Sequence, residues 1–280
     1  MKRDYTKLDF IKAIKNSGYL FESEIAQLLT ARDFFVETNS IIIDPKTGKD
    51  REIDIVAEYF DKKNQTLNFE FISLFKFVFE LKNNDYPLIL MTKLEPTPNT
   101  ILYECLKEAR TFKVDAKIYD DPQIYLDFIF NLDSNIYTQY CSFKEKKNKA
   151  NDLMAFHPDT LNAGFSKITQ YCDEQIESWE SNESNYNRYV LYLPILLIKN
   201  DIYELGFDKN SDPTLRKVNR SKFVYNYHKN GFHKSSVIFI INEKGLEPFL
   251  SEMLEFSKRM EAEVSKQYSE KKTKRLIWMN

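Results

Sequence analysis

The sequence predicts an α/β fold in which helix comes first and a three-stranded antiparallel meander follows. Three observations carry that prediction. Residues 7–32 space their apolar side chains at helical intervals. Residues 34–82 contain three runs rich in β-branched and aromatic residues, separated by turn-forming segments. Later apolar runs within 190–205, 223–227 and 237–241 read as further strands. These are expected to extend the same mixed sheet, because a meander alone leaves its edges exposed.

The opening stretch sets Leu8, Ile11 and Ile14 on one face, breaks near Gly18, and resumes with Phe21, Ile25, Leu28 and Leu29. Phe34–Ile43 and Glu52–Phe60 read as a hairpin around Asp44–Asp50, where Pro45 presets one dihedral and Gly48 supplies a positive φ. A polar turn at 61–64 leads to the third strand within 67–82. Pro87, Pro96 and Pro98 then bracket the apolar Leu88–Met91, and a helix at 101–111 and a strand at 113–119 are expected. Residues 144–152 read as an exposed connection. Leu161, Phe165, Ile168, Cys172, Ile176 and Trp179 step by three or four, which predicts an amphipathic helix. Residues 190–205 read as a hairpin turning at Asn200-Asp201, Gly245–Val264 as a helix, and the chain from Ser265 as a polar, basic tail. The expected organisation is a core over 1–95, a partly helical insertion over 96–187, and a β/α segment over 188–280 that completes the same domain.

Composition removes several classes of function. The six glycines include no G-x-G, so glycine-rich loops that cradle nucleotide phosphates are excluded. The most apolar stretch, Tyr189–Ile198, is ten residues long, where about 20 are needed to cross a bilayer, so no membrane partner is expected. Frequent charges in the first residues do not fit a signal peptide, and three widely spaced cysteines fit reduced thiols; both lead to an expectation of a cytoplasmic protein. His157, His228 and His233 have no zinc-site spacing. A net charge of −2, from 40 basic against 42 acidic residues, does not by itself advertise nucleic-acid binding. The lysine-rich clusters at 144–149, 216–222 and 271–275 read first as solvated surface.

Chemistry concentrates on the two inner strands of the meander. Asp54 sits inside the apolar run Ile53-Asp54-Ile55-Val56, and Glu80 and Lys82 sit at the end of Phe77-Val78-Phe79-Glu80-Leu81-Lys82. Side chains alternate along a strand, so Phe77, Phe79 and Leu81 share one face while Val78, Glu80 and Lys82 share the other. Desolvating an unpaired charge costs several kcal/mol, so such residues imply a compensating partner. Mg²⁺, which takes oxygen ligands from one or two carboxylates, is one such partner. Pairing in register would bring Asp54 opposite or diagonal to Glu80. Ordinary readings stand beside this one: a mutual Glu80–Lys82 salt bridge, and an Asp54 satisfied by backbone N–H groups or by Arg51.

Together these residues resemble the PD-(D/E)xK nuclease superfamily, with its restriction-endonuclease-like core: a helix carrying Glu, a strand carrying Asp, and a strand carrying (D/E)-x-K. The matching positions are Glu22, Asp54, Glu80 and Lys82. The segment FESEIAQLLTARDFFVETN is similar to the first helix and strand of archaeal Holliday-junction resolvases. There the glutamate precedes a Leu-Leu pair by six and seven positions, which selects Glu22. Helix geometry alone leaves Glu22 and Glu24 open. Asp33 stands where a glycine is common, and Ile53 replaces the proline of the motif's name. The resemblance covers roughly residues 7–95.

It implies metal-dependent hydrolysis of nucleic-acid phosphodiesters, DNA ahead of RNA. Asp54 and Glu80 would hold Mg²⁺ or Mn²⁺, Glu22 would assist directly or through water, and the Leu81 carbonyl would serve as a further ligand. Lys82 would position the attacking water. A homodimer, with each protomer cutting one strand, is compatible with it. Arg51 could meet a phosphate, and Asn83 and Asn84 either meet substrate or end the strand. The alternatives are a catalytically silent binding module of the same fold or subunit of a larger nucleic-acid-handling complex, and an accidental E-x-K match.

Overall fold

Gly18 breaks the opening helical run where the spacing predicts. Helix α1 (Lys7–Ser17) begins with a capping box: the Thr6 hydroxyl accepts the Asp9 N–H at 3.3 Å, and the Asp9 carboxylate accepts the Thr6 N–H at 2.9 Å. Gly18, at φ 88°, ends α1 and starts α2 (Tyr19–Thr30), which buries Phe21, Ile25 and Leu29. At the end of α2, Phe34 donates to the Leu29 carbonyl at 3.2 Å and Asp33 to the Thr30 carbonyl at 3.1 Å. This is the bonding of a Schellman motif, completed by the buried pair Leu29 and Phe34. Its pivot is Asp33 at φ 64°, a conformation that favours glycine and that aspartate tolerates.

The computed structural model describes residues 4–43, 48–59, 71–95, 112–114, 135–146, 149–178, 187–229 and 231–278. The helix expected at 101–111 and most of the strand expected at 113–119 lie outside them. After α2 come β1 (Phe35–Ile43), β2 (Asp50–Tyr59) and β3 (Phe71–Lys82), paired antiparallel in sequence. They are followed by β4 (Leu88–Leu94), β5 (Phe112–Val114), β6 (Ile136–Lys146), β7 (Lys149–Phe156) and helix α3 (Asp159–Glu177). Next are β8 (Asn187–Ile198), β9 (Ile202–Phe207), β10 (Pro213–Val218), β11 (Arg220–Lys229), β12 (Phe232–Asn242) and helix α4 (Glu243–Trp278). The architecture is α/β with one mixed sheet, ordered β1-β2-β3-β8-β12-β11-β6-β4-β9-β10, with β5 against β8 and β7 against β6. Among the described residues no helix is long and apolar enough to cross a membrane.

Strand β8 runs parallel to β3 and follows β4–β7 and α3 in the chain, and α3 packs across β2, β3 and β8. One face of the sheet is closed by α2 and α4, whose Phe21, Leu29, Phe249 and Met253 pack with Phe77, Phe79 and Leu193. The other is closed by α3, whose Leu161, Phe165, Ile168 and Cys172 pack with Val78, Tyr192 and Ile240. The alternation read for β3 is therefore real: Phe77, Phe79 and Leu81 belong to the α2/α4 side, and Val78 to the α3 side.

Three local expectations need correction. Residues 144–146 are exposed as expected, but 144–146 and 149–152 belong to the paired strands β6 and β7, and residues 147–148 lie outside the described set. Strands β8 and β9 turn at Asn200-Asp201 as expected but are not a hairpin. Strand β8, apolar over 190–198, is paired by β3 on one side and β12 on the other, while β9 joins β4 and β10. Helix α4 also continues through the basic tail to Trp278.

Candidate functional site

The β2–β3 register sets Ile55 opposite Phe79 and Val56 opposite Val78. One step further along that register, Asp54 comes opposite Glu80. The ladder frays there because the Asp54 side chain takes over as acceptor: its Oδ2 receives the Leu81 N–H at 2.7 Å. Glu80 is 2 % exposed, held between β2 and β8 under α3. Such a burial is tolerable for an ionised carboxylate only with close counter-charges. Two are present. Lys82 Nζ donates to Glu80 Oε1 at 2.5 Å. Lys167, from α3, places its Nζ 3.1 Å from Asp54 Oδ1 and in ionic contact with Glu80 Oε2.

One ammonium thus bridges the carboxylates of two neighbouring strands. Burial on its own would lower the Lys167 pKa; the charges of Glu80 and Asp54 more than offset it and raise the group above the usual lysine range. Gly164, one turn earlier on α3, makes this approach possible. A Cβ there would lie 2.9 Å from Glu80 Cγ and 3.2 Å from Glu80 Oε1.

Of the two glutamates on α2, Glu22 is the one directed to the site. Burial raises its carboxyl above the ordinary value, and the charges of Asp54 and Glu80 add to that, against the opposing ammoniums of Lys167 and Lys82. Glu24 is exposed. Gly18 lies beside both Glu22 and Asn83, and Asn83 Nδ2 donates to the Lys15 carbonyl at 3.4 Å, tying the end of α1 to the end of β3. The Lys199 N–H donates to the Lys82 carbonyl at 3.0 Å, and its ammonium lies 5.6 Å from the centroid of the Phe21 ring. Asn84 and Asn200 bond to backbone carbonyls of the neighbouring turns, Tyr86 for Asn84 and Asp85 for Asn200. Arg51 is exposed on β2.

Of the residues read from the sequence, Asp54, Glu80 and Lys82 are brought together, Leu81 joins them through its N–H, and Glu22 faces them electrostatically. Among the described residues no three His, Cys, Asp or Glu side chains form a group that could hold a metal ion. The two carboxylates that do come together are those of Asp54 and Glu80, and Mg²⁺ can bind through two carboxylates when waters complete its shell. The pair fits a cation on one direct observation, since Lys167 already supplies one between the two carboxylates. Glu80 Oε2, fully buried, has this ionic contact but no directed hydrogen bond.

Lys167 was not singled out by sequence reasoning. The signal available was a lysine three residues after a mid-helix glycine, on the flank of the apolar stripe formed by Leu161, Phe165 and Ile168. A helix glycine that costs stability relative to alanine points to close packing, and a lysine beside it points to a buried acid.

No family model, no curated protein and no solved structure matches the chain.

Proposed function

We propose that the chain is a divalent-metal-dependent nuclease of the PD-(D/E)xK type, acting on DNA ahead of RNA. The single observation that carries the reading is the convergence of Asp54 and Glu80 on one cation, with the Lys82 ammonium beside them. Part of the chain's path supports it: a helix bearing Glu22 and an antiparallel β1-β2-β3 meander, with α3 and β8, the parallel neighbour of β3, following only after β4–β7.

In this reading Asp54 and Glu80 would hold Mg²⁺ or Mn²⁺, with Glu22, whose carboxyl feels both acids, assisting through water and the Leu81 carbonyl as a further oxygen. The ion would supply Lewis-acid polarisation of the phosphoryl group and a water more acidic than bulk water. Lys82, fixed by its bond to Glu80, orients the attacking water and offsets the negative charge that builds on phosphorus-bound oxygens. The Leu81 N–H anchors Asp54 so that its other oxygen stays turned to the site.

A second reading has its own support. Lys82 and Lys167 already neutralise Asp54 and Glu80 internally, as a catalytically silent module built on the same core would require. Incubation of the purified chain with supercoiled plasmid in Mg²⁺, Mn²⁺ or chelator separates the two. The nuclease reading requires metal-dependent nicking or linearisation that Asp54→Ala and Lys82→Ala remove. Inert wild type on DNA and RNA, or variants as active as wild type, would overturn it.

A further inference from the structure

We propose that Lys167 is a built-in, displaceable counter-ion that regulates divalent-cation entry into the Asp54–Glu80 pair. The inference rests on the metal-site reading above and adds a regulatory element to it.

The two ammoniums of the site are held differently. Lys82 is on the same strand as Glu80, two residues away, and its bond is to Oε1, so an ion that takes Oε2 and Asp54 Oδ1 need not displace it. Lys167 comes from another element and spans the gap itself, meeting Asp54 Oδ1 and Glu80 Oε2 at once. Those are the oxygens that a shared cation would need. Leu81 and Lys82 already use Asp54 Oδ2 and Glu80 Oε1. A divalent ion and the Lys167 ammonium therefore compete for one position.

The helix backbone near that position is packed against Glu80, while the ammonium sits at the end of a long side chain. Gly164 seats α3 directly on Glu80, so the helix keeps Lys167 within reach. The lysine itself is a point charge on a four-carbon stem, with its side chain still 14 % exposed, which leaves a route towards solvent. Without an ion, Lys167 offsets the repulsion between two carboxylates on adjacent strands. When an ion binds, that role passes to the ion. The result is a site that folds without metal and takes up metal only against an internal competitor, which weakens its apparent affinity.

Calorimetric titration of the full chain with Mn²⁺ tests this, using wild type, Lys167→Met, Lys167→Gln and the surface control Lys217→Met. Lys217 pairs with Asp201, outside the site. Both Lys167 variants should bind Mn²⁺ about tenfold or more tightly than wild type, since each removes a competing unit charge at contact distance. Lys217→Met should bind as wild type does. Thermal melts give a second readout: without metal the Lys167 variants should melt below wild type, and saturating Mn²⁺ should raise their Tm by more than it raises that of wild type. If Lys167→Met fails to fold, Lys167→Gln, which can still donate to Asp54, answers the question. Equal Mn²⁺ affinity in wild type and variants, or weaker binding in the variants, overturns the counter-ion role and leaves the metal site standing. No Mn²⁺ binding by any of the chains overturns both.

Discussion

Gly164 of α3 and Glu80 of β3 meet with no room for a side chain between them: a Cβ on Gly164 would lie 2.9 Å from Glu80 Cγ. Glu80 cannot step aside easily, because Lys82 and Lys167 hold its two oxygens. Gly164→Ala therefore sets a helix-propensity gain of about 1 kcal/mol against overpacking of about 1–3 kcal/mol. A net loss of stability of about 1 kcal/mol is expected by urea denaturation. The variant should also lose most of its metal-dependent cleavage. A Gly164→Ala chain as stable as wild type and fully active would show that the contact does not constrain the carboxylate.

Asp33 occupies the left-handed pivot of the Schellman motif at φ 64°. Alanine tolerates that conformation less well than aspartate, and glycine adopts it freely. Asp33→Ala should cost about 1 kcal/mol in chemical denaturation, while Asp33→Gly should be neutral or stabilising. The same loss in both variants would place the effect in the aspartate side chain rather than in the backbone.

Glu22 gives a pH-dependent test. Its carboxyl is raised above 4.5 by burial first and by the charges of Asp54 and Glu80 second. The native protein therefore holds that proton more tightly than the unfolded chain does. Glu22 contributes a loss of stability that sets in as pH rises from 4.5 to its raised native value and persists above it. In chelator, Glu22→Gln should melt higher than wild type at neutral pH, and the difference should shrink towards zero below pH 4.5. A difference that does not vary with pH would mean that neither burial nor the two acids hold the Glu22 carboxyl above its ordinary value.

Lys82 is the test of chemistry apart from folding, because its side chain is partly exposed and its removal leaves Lys167 in contact with Glu80. Lys82→Ala should keep a cooperative melt but cut plasmid cleavage by about 10²–10³-fold, the range for loss of one transition-state donor. Retained cleavage would assign Lys82 a purely structural salt bridge.

The parts of the fold that could be read from sequence were those governed by local rules. Gly18 and the Leu/Ile spacing on either side of it mark α1 and α2. Alternation in Phe77–Lys82 marks which face of β3 carries Glu80, and the stripe from Leu161 to Cys172 marks α3. Pairing partners were less legible. The run from 190 to 198 is apolar throughout because β8 is buried on both faces, and such a strand carries no alternation to say which neighbours it takes. The candidate site divides in the same way. Asp54, Glu80 and Lys82 stand out as charges within apolar strands. Lys167 is far from them in sequence, and only the packing of α3 across β2 and β3 brings it to them.

Diffraction from crystals soaked in Mn²⁺, measured for its anomalous signal, tests the central claim most directly. The account predicts a single strong peak between the Asp54 and Glu80 carboxylates, with the Lys167 ammonium moved away from both. Clean density for Lys167 still bridging the two acids at saturating Mn²⁺, with no anomalous peak between them, would contradict it.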